Sequence, residues 1–333
     1  MPDTLAGFNL QSAGFARTVQ AAIHRDVVSL LRAGAVYADP QSVLSLSQVP
    51  GSTFVHRATL WTDVPPTLEA LDEGVPPSPL KMAEDDLEVT VIEVGDYIPV
   101  FSQANYQDGG ASKLVMQATT KVARMIFLAF DTLARSVYET ATTDAYAGSS
   151  NAASADVGAG DVLTTAFVDE LVTRARENDL EPFGDGLYRI VGHPRLFKPL
   201  LTEAADGEGF APAANQGTVG DLKKGTIGDY HGAKFVSAGS RGIVLAGAGS
   251  TGIDLFKGIL IGKQSIALSD MASIQSIIQP GGGPSDPLRQ IVATVGFRGF
   301  IGGKLVEVAN FSDGAGVLDA DIRRSVLFEA AGA

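Results

Sequence analysis

An α+β fold is what this sequence predicts, and three observations predict it. Strand-like and helix-like runs are segregated along the chain, one uninterrupted helical run of about thirty residues dominates its middle, and short mixed elements follow after a Gly/Ala/Ser-rich stretch. The 333 residues carry 45% apolar side chains and a mean hydropathy of +0.15, the composition of a folded chain with a real core.

The first element is a helix over Gln11–Leu31. Phe15, Val19, Ala22, Ile23, Val27 and Leu30 recur at three- and four-residue spacing, and Arg17, Arg25 and Arg32 make the segment mildly basic. Two strand-like runs come next, Phe54–Trp61 and Leu87–Val94, the second with clear alternation across Leu87, Val89 and Val91. Between them lie Pro65, Pro66, Pro76, Pro77 and Pro79, in a connection far longer than the two to five residues of an ordinary hairpin loop. Such a connection must be held by something outside its own domain, or serve a function.

The charge sits here too. Asp63, Glu69, Asp72, Glu73, Glu84, Asp85, Asp86, Glu88, Glu93 and Asp96 face one base, Lys81, a net of −9 out of −13 for the whole chain. The main helix follows. Ser112 is positioned to cap it, and Leu114, Val115, Ala118, Val122, Ile126, Ala129, Leu133 and Val137 form its apolar stripe. At 1.5 Å per residue it spans about 45 Å, longer than a small domain is wide. Lys113, Lys121, Arg124 and Arg135 outnumber Asp131 and Glu139, so this helix is locally basic.

Ala147–Gly160 reads as a low-complexity linker and a domain boundary. Beyond it the pattern predicts a helix over Leu163–Asn178, a strand at Leu187–Val191, and a helix opened by Pro194 and running to Leu201. A Gly-rich excursion over Gly207–Gly228 precedes strands at Lys234–Ser237, Ile243–Ala246, Ile259–Ile261 and Ile274–Ile278. Gly281–Pro287 is a second boundary, and Ile291–Ile301 with Leu305–Val308 flank Gly302-Gly303 as an expected hairpin.

Chemistry is sparse. There is no cysteine, so no disulfide or thiolate metal site. His24, His56, His193 and His231 have no metal-binding spacing, and neither a G-x-S-x-G elbow nor a calcium-loop pattern occurs. The acidic balance excludes a general phosphate-gripping surface. No signal peptide and no membrane span are expected. One fingerprint remains: Gly247, Gly249 and Gly252 match G-x-G-x-x-G after an apolar run, but Gly258 and Gly262 interrupt the helix a dinucleotide site needs.

The order of elements, an N-terminal arm, a long two-stranded arm, one long helix, a Gly-rich α/β insertion and a closing strand pair, resembles the Hong Kong 97-type fold of tailed-bacteriophage major capsid proteins. The stretches GTIGDYHGAKFVSAG (Gly225–Gly239), FKGILIGKQSIAL (Phe256–Leu268) and SDPLRQIVATVGFRGFIGGKLVEVANF (Ser285–Phe311) are similar to the branch containing the N4-like phage coat proteins. The resemblance implies an N-terminal arm over 1–50, an extended loop over 51–96, a peripheral domain with its spine helix over 97–160, an axial domain over 161–280, and a peripheral return with C-terminal tail over 281–333.

It implies a structural subunit, not an enzyme, with no cofactor and no metal. The subunit would self-assemble into hexamers and pentamers of an icosahedral shell enclosing double-stranded DNA without binding it specifically. Portal and scaffolding proteins, and a decoration protein, are the implied partners; the place is the virion capsid, assembled in the bacterial host cytoplasm. An encapsulin-like nanocompartment shell of the same fold is the alternative, and a nucleotide-dependent enzyme using the Gly247–Gly252 loop a remote one. Some members of the fold cross-link subunits through a loop lysine and an asparagine, for which Lys81 and Asn310 are the conceivable pair here. Charge adds an expectation of its own: Glu84, Asp85, Asp86 and Glu88 should seat against Lys113, Lys121 and Arg124, or against Arg17 and Arg25, of a neighbouring subunit.

Overall fold

A computed structural model describes residues 36–39, 41–49, 54–62, 83–101, 111–148, 150–178, 180–205, 229–269, 275–280, 291–308 and 322–332. The helix expected over Gln11–Leu31, the arm tip with Lys81, the Gly-rich excursion, the boundary at Gly281–Pro287 and Asn310 lie outside these residues.

The main helix lies where its apolar spacing places it. Helix α1 runs Ala111–Thr140, 30 residues, with Ser112 already inside its first turn. Ala118, Val122, Ile126, Phe130, Ala134 and Tyr138 are buried along one side. That stripe packs on an antiparallel sheet of β12 (Gln275–Pro280), β13 (Ile291–Ile301) and β4 (Ile92–Phe101), in that order. Val100, Val295, Phe297 and Ile301 supply the facing layer.

The arm is the hairpin β2 (Val55–Thr62) with β3 (Ala83–Thr90), paired from Val55↔Thr90 to Thr62↔Ala83. Here the sequence expectation needs correction, because Leu87–Val94 is two strands. At Val91 the chain leaves β2 and crosses to β13, where Ile92 pairs with Ile301. The alternation Leu87, Val89, Val91 runs on through the crossing, so sequence alone reads one strand.

A short strand ties the arm to the body. β1 (Val43–Gln48) pairs with β2 at Ser47↔Arg57 and Gln48↔His56, and runs parallel to β11 (Ile266–Ser269) over four residue pairs. β14 (Gly303–Leu305) lies on the far side of β11. Leu46, Leu87, Val89, Ala267 and Val306 form a small core at this root.

The second half builds a mixed sheet ordered β5 (Ala145–Tyr146), β17 (Ser325–Ala331), β10 (Leu255–Ile261), β6 (Tyr188–Gly192), β8 (Ala233–Ser237) and β7 (Asp229–Tyr230). β9 (Ile243–Leu245) pairs with the first half of β10. Every residue of β10 and β17 is buried, as their near-continuous apolar runs require. Helices α2 (Thr165–Glu177) and α3 (Pro194–Ala205) cover the sheet, bringing Phe167, Leu171, Leu196 and Phe197 against Ile190, Leu260 and Phe328. Thr164 caps α2 by accepting the Phe167 N–H at 3.3 Å. A two-residue pair, β15 (Glu307–Val308) with β16 (Ile322–Arg323), stands apart.

Two further expectations give way to tertiary contacts. The hairpin around Gly302-Gly303 does not form: β13 lies between β12 and β4, while β14 joins β11. Gly302 is needed for close approach instead, since a Cβ there would stand 2.8 Å from the Thr90 carbonyl oxygen and 3.0 Å from Val91 Cγ1. The stretch Ala147–Gly160 is a set of tight turns, not a loose linker. Ala147 and Val157 are fully buried, and Asp161 Oδ2 accepts from the Asn151 amide at 2.7 Å and the Gly158 N–H at 2.8 Å. Small residues let this backbone lie close to the sheet, and composition alone cannot distinguish that from a linker. The closing stretch divides as well: β13 lies beside the main helix, whereas β17 completes the second sheet between β5 and β10.

Candidate intersubunit surfaces

The arm carries its acids on β3, on the strand and not only in the connecting loop. β3 is also the outermost strand of its sheet, whose order is β14-β11-β1-β2-β3. Leu87, Val89 and Val91 are buried while Asp86, Glu88 and Thr90 are exposed, the alternation of a one-sided strand. Glu84 and Asp85 precede them on the same strand.

Asp86 has a partner within its own arm. Arg57 lies directly opposite Glu88 in the register and makes an ion pair with Asp86. Both side chains are substantially exposed, at 40% for Arg57 and 33% for Asp86, so the pair contributes no more than about 1 kcal/mol. The sequence expectation did not include Arg57. Its signal was available only as a cation inside a strand-like run.

The basic residues of the main helix divide. Lys121 and Arg124 are exposed on the stripe opposite the core, together with Gln117, Thr120, Leu128 and Thr132. Arg135 is drawn to Glu139 one turn on, at 3.6 Å. Lys113 lies in the first turn of α1, while Arg17 and Arg25 are outside the described residues. Within the chain, the structure brings the arm acids to Arg57 and records no ion pair between them and α1 among the described residues.

A third surface was not legible in the sequence. On the outer face of the three-stranded sheet, Ile277, Gly296 and Tyr97 lie side by side across β12, β13 and β4. Tyr97 is 65% exposed and Ile277 45%, and with Gly95 and Gly296 as floor they line a trough of about 640 Å³. Arg298 and Glu93 form an ion pair within its lining. Phe54 stacks edge-on against Phe300 at 6.0 Å, while Ile92 and Phe101 of β4 are also exposed. Tyr97, Phe101 and Ile277 thus leave large apolar side chains open to solvent.

Two buried charged groups make polar contacts at α1. Asp131, 1% exposed, accepts the backbone N–H groups of Val36 (3.0 Å), Tyr37 (2.9 Å) and Ala38 (3.4 Å), and pairs with Arg241. At the helix end, buried Lys257 of β10 donates to the carbonyl oxygens of Glu139 (3.2 Å) and Ala141. An ammonium group suits this position, where the last carbonyls lack intrahelical donors and the helix dipole is negative. Burial raises Tyr37 and Tyr138 well above the ordinary tyrosine range, with the Ser265 hydrogen bond partly opposing it at Tyr138. Both phenols therefore stay neutral.

The glycine fingerprint is not a nucleotide cradle. Gly247–Gly252 turns β9 into antiparallel β10, so a strand follows it where a pyrophosphate site needs a helix N-terminus. A Cβ on Gly249 would stand 2.5 Å from Ile253 Cγ1 and 2.8 Å from Leu255 Cδ2, so the space is filled by the side chains that follow the loop. Gly249→Val is expected to destabilise the fold by about 2–3 kcal/mol through overpacking. Millimolar NAD or ATP should leave the melting temperature of the parent chain unchanged; a nucleotide-dependent rise lost in the variant would restore the enzyme reading.

The histidines are dispersed. His56 is buried on β2, its Nδ1 without a hydrogen-bond partner among the described residues, His193 lies 5.0 Å from the Phe256 ring, and His231 sits in the β7–β8 turn, 3.4 Å from Asp169. Burial lowers His193, and the charge of Arg195 lowers it further. Among the described residues no group of three His, Cys, Asp or Glu could hold a metal, and no helix is long and apolar enough to cross a membrane.

No family profile and no curated protein sequence matches this chain. Solved structures do. The capsid of Ralstonia phage GP4 superimposes with a TM-score of 0.67 at 13% identity, over 88% of this chain and 87% of that one. The cyanophage Pam1 capsid gives 0.57 at 16% identity over 85% and 87%. The capsid of Helicobacter pylori bacteriophage KHP30 gives 0.55 at 11% identity over 87% and 88%. Superposition over most of each chain shows that this protein has the α+β Hong Kong 97-type fold of phage capsid proteins.

Proposed function

We propose that this chain is the major capsid protein of a tailed bacteriophage, a structural subunit that assembles into hexamers and pentamers of an icosahedral shell around double-stranded DNA. The observation that carries the reading is surface left uncovered in the single chain. The arm meets β1 through two residue pairs and projects an acidic outer strand, while Tyr97, Ile277, Phe54, Ile92 and Phe101 stand exposed. A protein that worked alone would leave neither.

Within this reading, Glu84, Asp85, Asp86 and Glu88 of one arm seat against Lys113, Lys121 and Arg124 on the outer stripe of a neighbour's main helix, or against Arg17 and Arg25 of its N-terminal arm. The exposure of Lys121 and Arg124 beside Leu128 supports the first arrangement, because a cationic stripe with an apolar centre suits an acidic strand. Division into arm, extended loop, peripheral and axial parts follows the same reading, as do portal, scaffolding and decoration partners and assembly in a bacterial cytoplasm. The signatures at Gly225–Gly239, Phe256–Leu268 and Ser285–Phe311 favour the N4-like branch.

The test is negative-stain electron microscopy after size exclusion at physiological salt, with and without a co-expressed scaffolding protein. Closed shells, or rings of five and six, are the expected result. Shells filled with an enzyme cargo would redirect the reading to a nanocompartment. A stable dimer or tetramer that never closes, even with scaffold, would overturn it.

A further inference from the structure

We infer that Asp131 is the pin of an electrostatic clasp through which the segment Val36–Ser42 sets the direction of the β2–β3 arm. The inference rests on the arm being an intersubunit contact only for its consequence in assembly; the clasp itself is a property of the single chain. A carboxylate with 1% exposure inside an apolar cluster is costly unless it is fully satisfied. Here three consecutive backbone N–H groups form a nest around Oδ1 and a guanidinium binds Oδ2.

The four donors come from two different parts of the chain. Val36, Tyr37 and Ala38 precede β1, whereas Arg241 follows β8 in the second sheet, so one side chain of α1 fastens both to the helix. Tyr37 adds a donation from its hydroxyl to the Arg241 carbonyl at 3.2 Å. A second pin lies just beyond: Asp39 pairs with Arg189 of β6, and Ser42 Oγ donates to the Asp39 carbonyl at 2.8 Å.

The segment then becomes β1, which is the lateral tether of the arm. Val43–Leu46 follow β11 in parallel, and Ser47 and Gln48 hold Arg57 and His56 at the arm root. A shift of the clasped segment must therefore strain β1, which is held by four residue pairs to β11 and passes any displacement to the arm through its two pairs with β2. To the root core β1 contributes Leu46, with Leu44 packed against it. By contrast β10 and β17 are locked to each other over seven residue pairs.

The test is hydrogen exchange by mass spectrometry on the purified full chain, which reads the clasp whether or not shells form. Asp131→Asn preserves size while removing the charge that holds the nest and Arg241. Exchange at residues 36–38 is expected to rise by about tenfold or more, and exchange at residues 47–48 and 55–57 to rise with it, while β10 and β17 stay protected. Arg241→Gln, a milder change at a one-third exposed side chain, should give the same pattern at smaller amplitude and covers the case that Asp131→Asn does not fold. Faster exchange confined to residues 36–38 would overturn the coupling to the arm, and unchanged exchange everywhere would overturn the clasp. Altered shell diameter in variants that show the coupled pattern would extend it to assembly; failure of the parent chain to assemble at all would bear on the capsid reading alone.

Discussion

Lysine at Glu84, Asp85 and Asp86 together is expected to cut the yield of closed shells by about tenfold or more at roughly 0.15 M salt. The substitution moves the segment from Asp63 to Asp96 from a net of −9 to about −3 and, under the proposed seating, places like charge opposite Lys121 and Arg124 of a neighbour. Raising salt to about 1 M should restore part of the yield, since screening shortens the range of the repulsion. A rival physical account makes the opposite forecast. β3 is an edge strand, and edge strands carry charges to prevent unwanted pairing with other chains. Lysine guards an edge as well as glutamate does, so under that account shells would form undiminished. Loss of the Arg57–Asp86 pair does not confuse the result, because an exposed pair contributes about 1 kcal/mol at most. Arg57→Gln alone, which removes the same pair, is the control, and it should fold and assemble nearly as the parent does.

The second large effect lies at the end of the main helix. Lys257→Met is expected to destabilise the chain by about 3–5 kcal/mol, because it removes the donor to two helix-terminal carbonyls and leaves buried charge behind. Lys257 is 3% exposed and pairs in register with Glu329, itself 3% exposed, whose Oε1 accepts from Thr143 and whose buried Oε2 has no hydrogen-bond partner among the described residues. Thermal unfolding of disassembled chain should show a fall of about 5–15 °C. The double variant Lys257→Met with Glu329→Gln should be less destabilised than the sum of the two single changes, as for charges sharing one buried site. Additive effects would show that Lys257 acts on the helix end alone. A single-variant loss below about 1 kcal/mol would remove both accounts.

These two sites differ in how far sequence reasoning reaches them. The acid run is visible as composition, but alternation begins the second strand at Leu87, and only the pairing with β2 places Glu84, Asp85 and Asp86 on β3. Lys257 in FKGILIG reads as a charge interrupting an apolar run, with nothing to say that it reaches the carbonyls of residues more than a hundred positions earlier. Asp131 likewise reads as one polar position on an amphipathic helix, and only the fold delivers Val36–Ala38 and Arg241 to it. The trough between Tyr97 and Ile277 is invisible for the same reason, since it depends on which strands become neighbours of β13.

Local physics determined the elements that repeat a period over many residues. The 30-residue helix, the alternation on β3, the capped start of α2 and the buried run of β10 follow from side-chain spacing and capping chemistry within each segment. The α+β class follows from their order. Tertiary structure decided everything that depends on partners distant in sequence. It split Leu87–Val94 between two sheets, gave Gly302 to a close crossing instead of a hairpin, pulled Ala147–Gly160 against the second sheet, and closed Gly247–Gly252 over the side chains that follow it. Periodicity records which face of an element is buried; it carries no record of what buries it, because strand pairing and close backbone approach are fixed by contacts between segments that no local window contains.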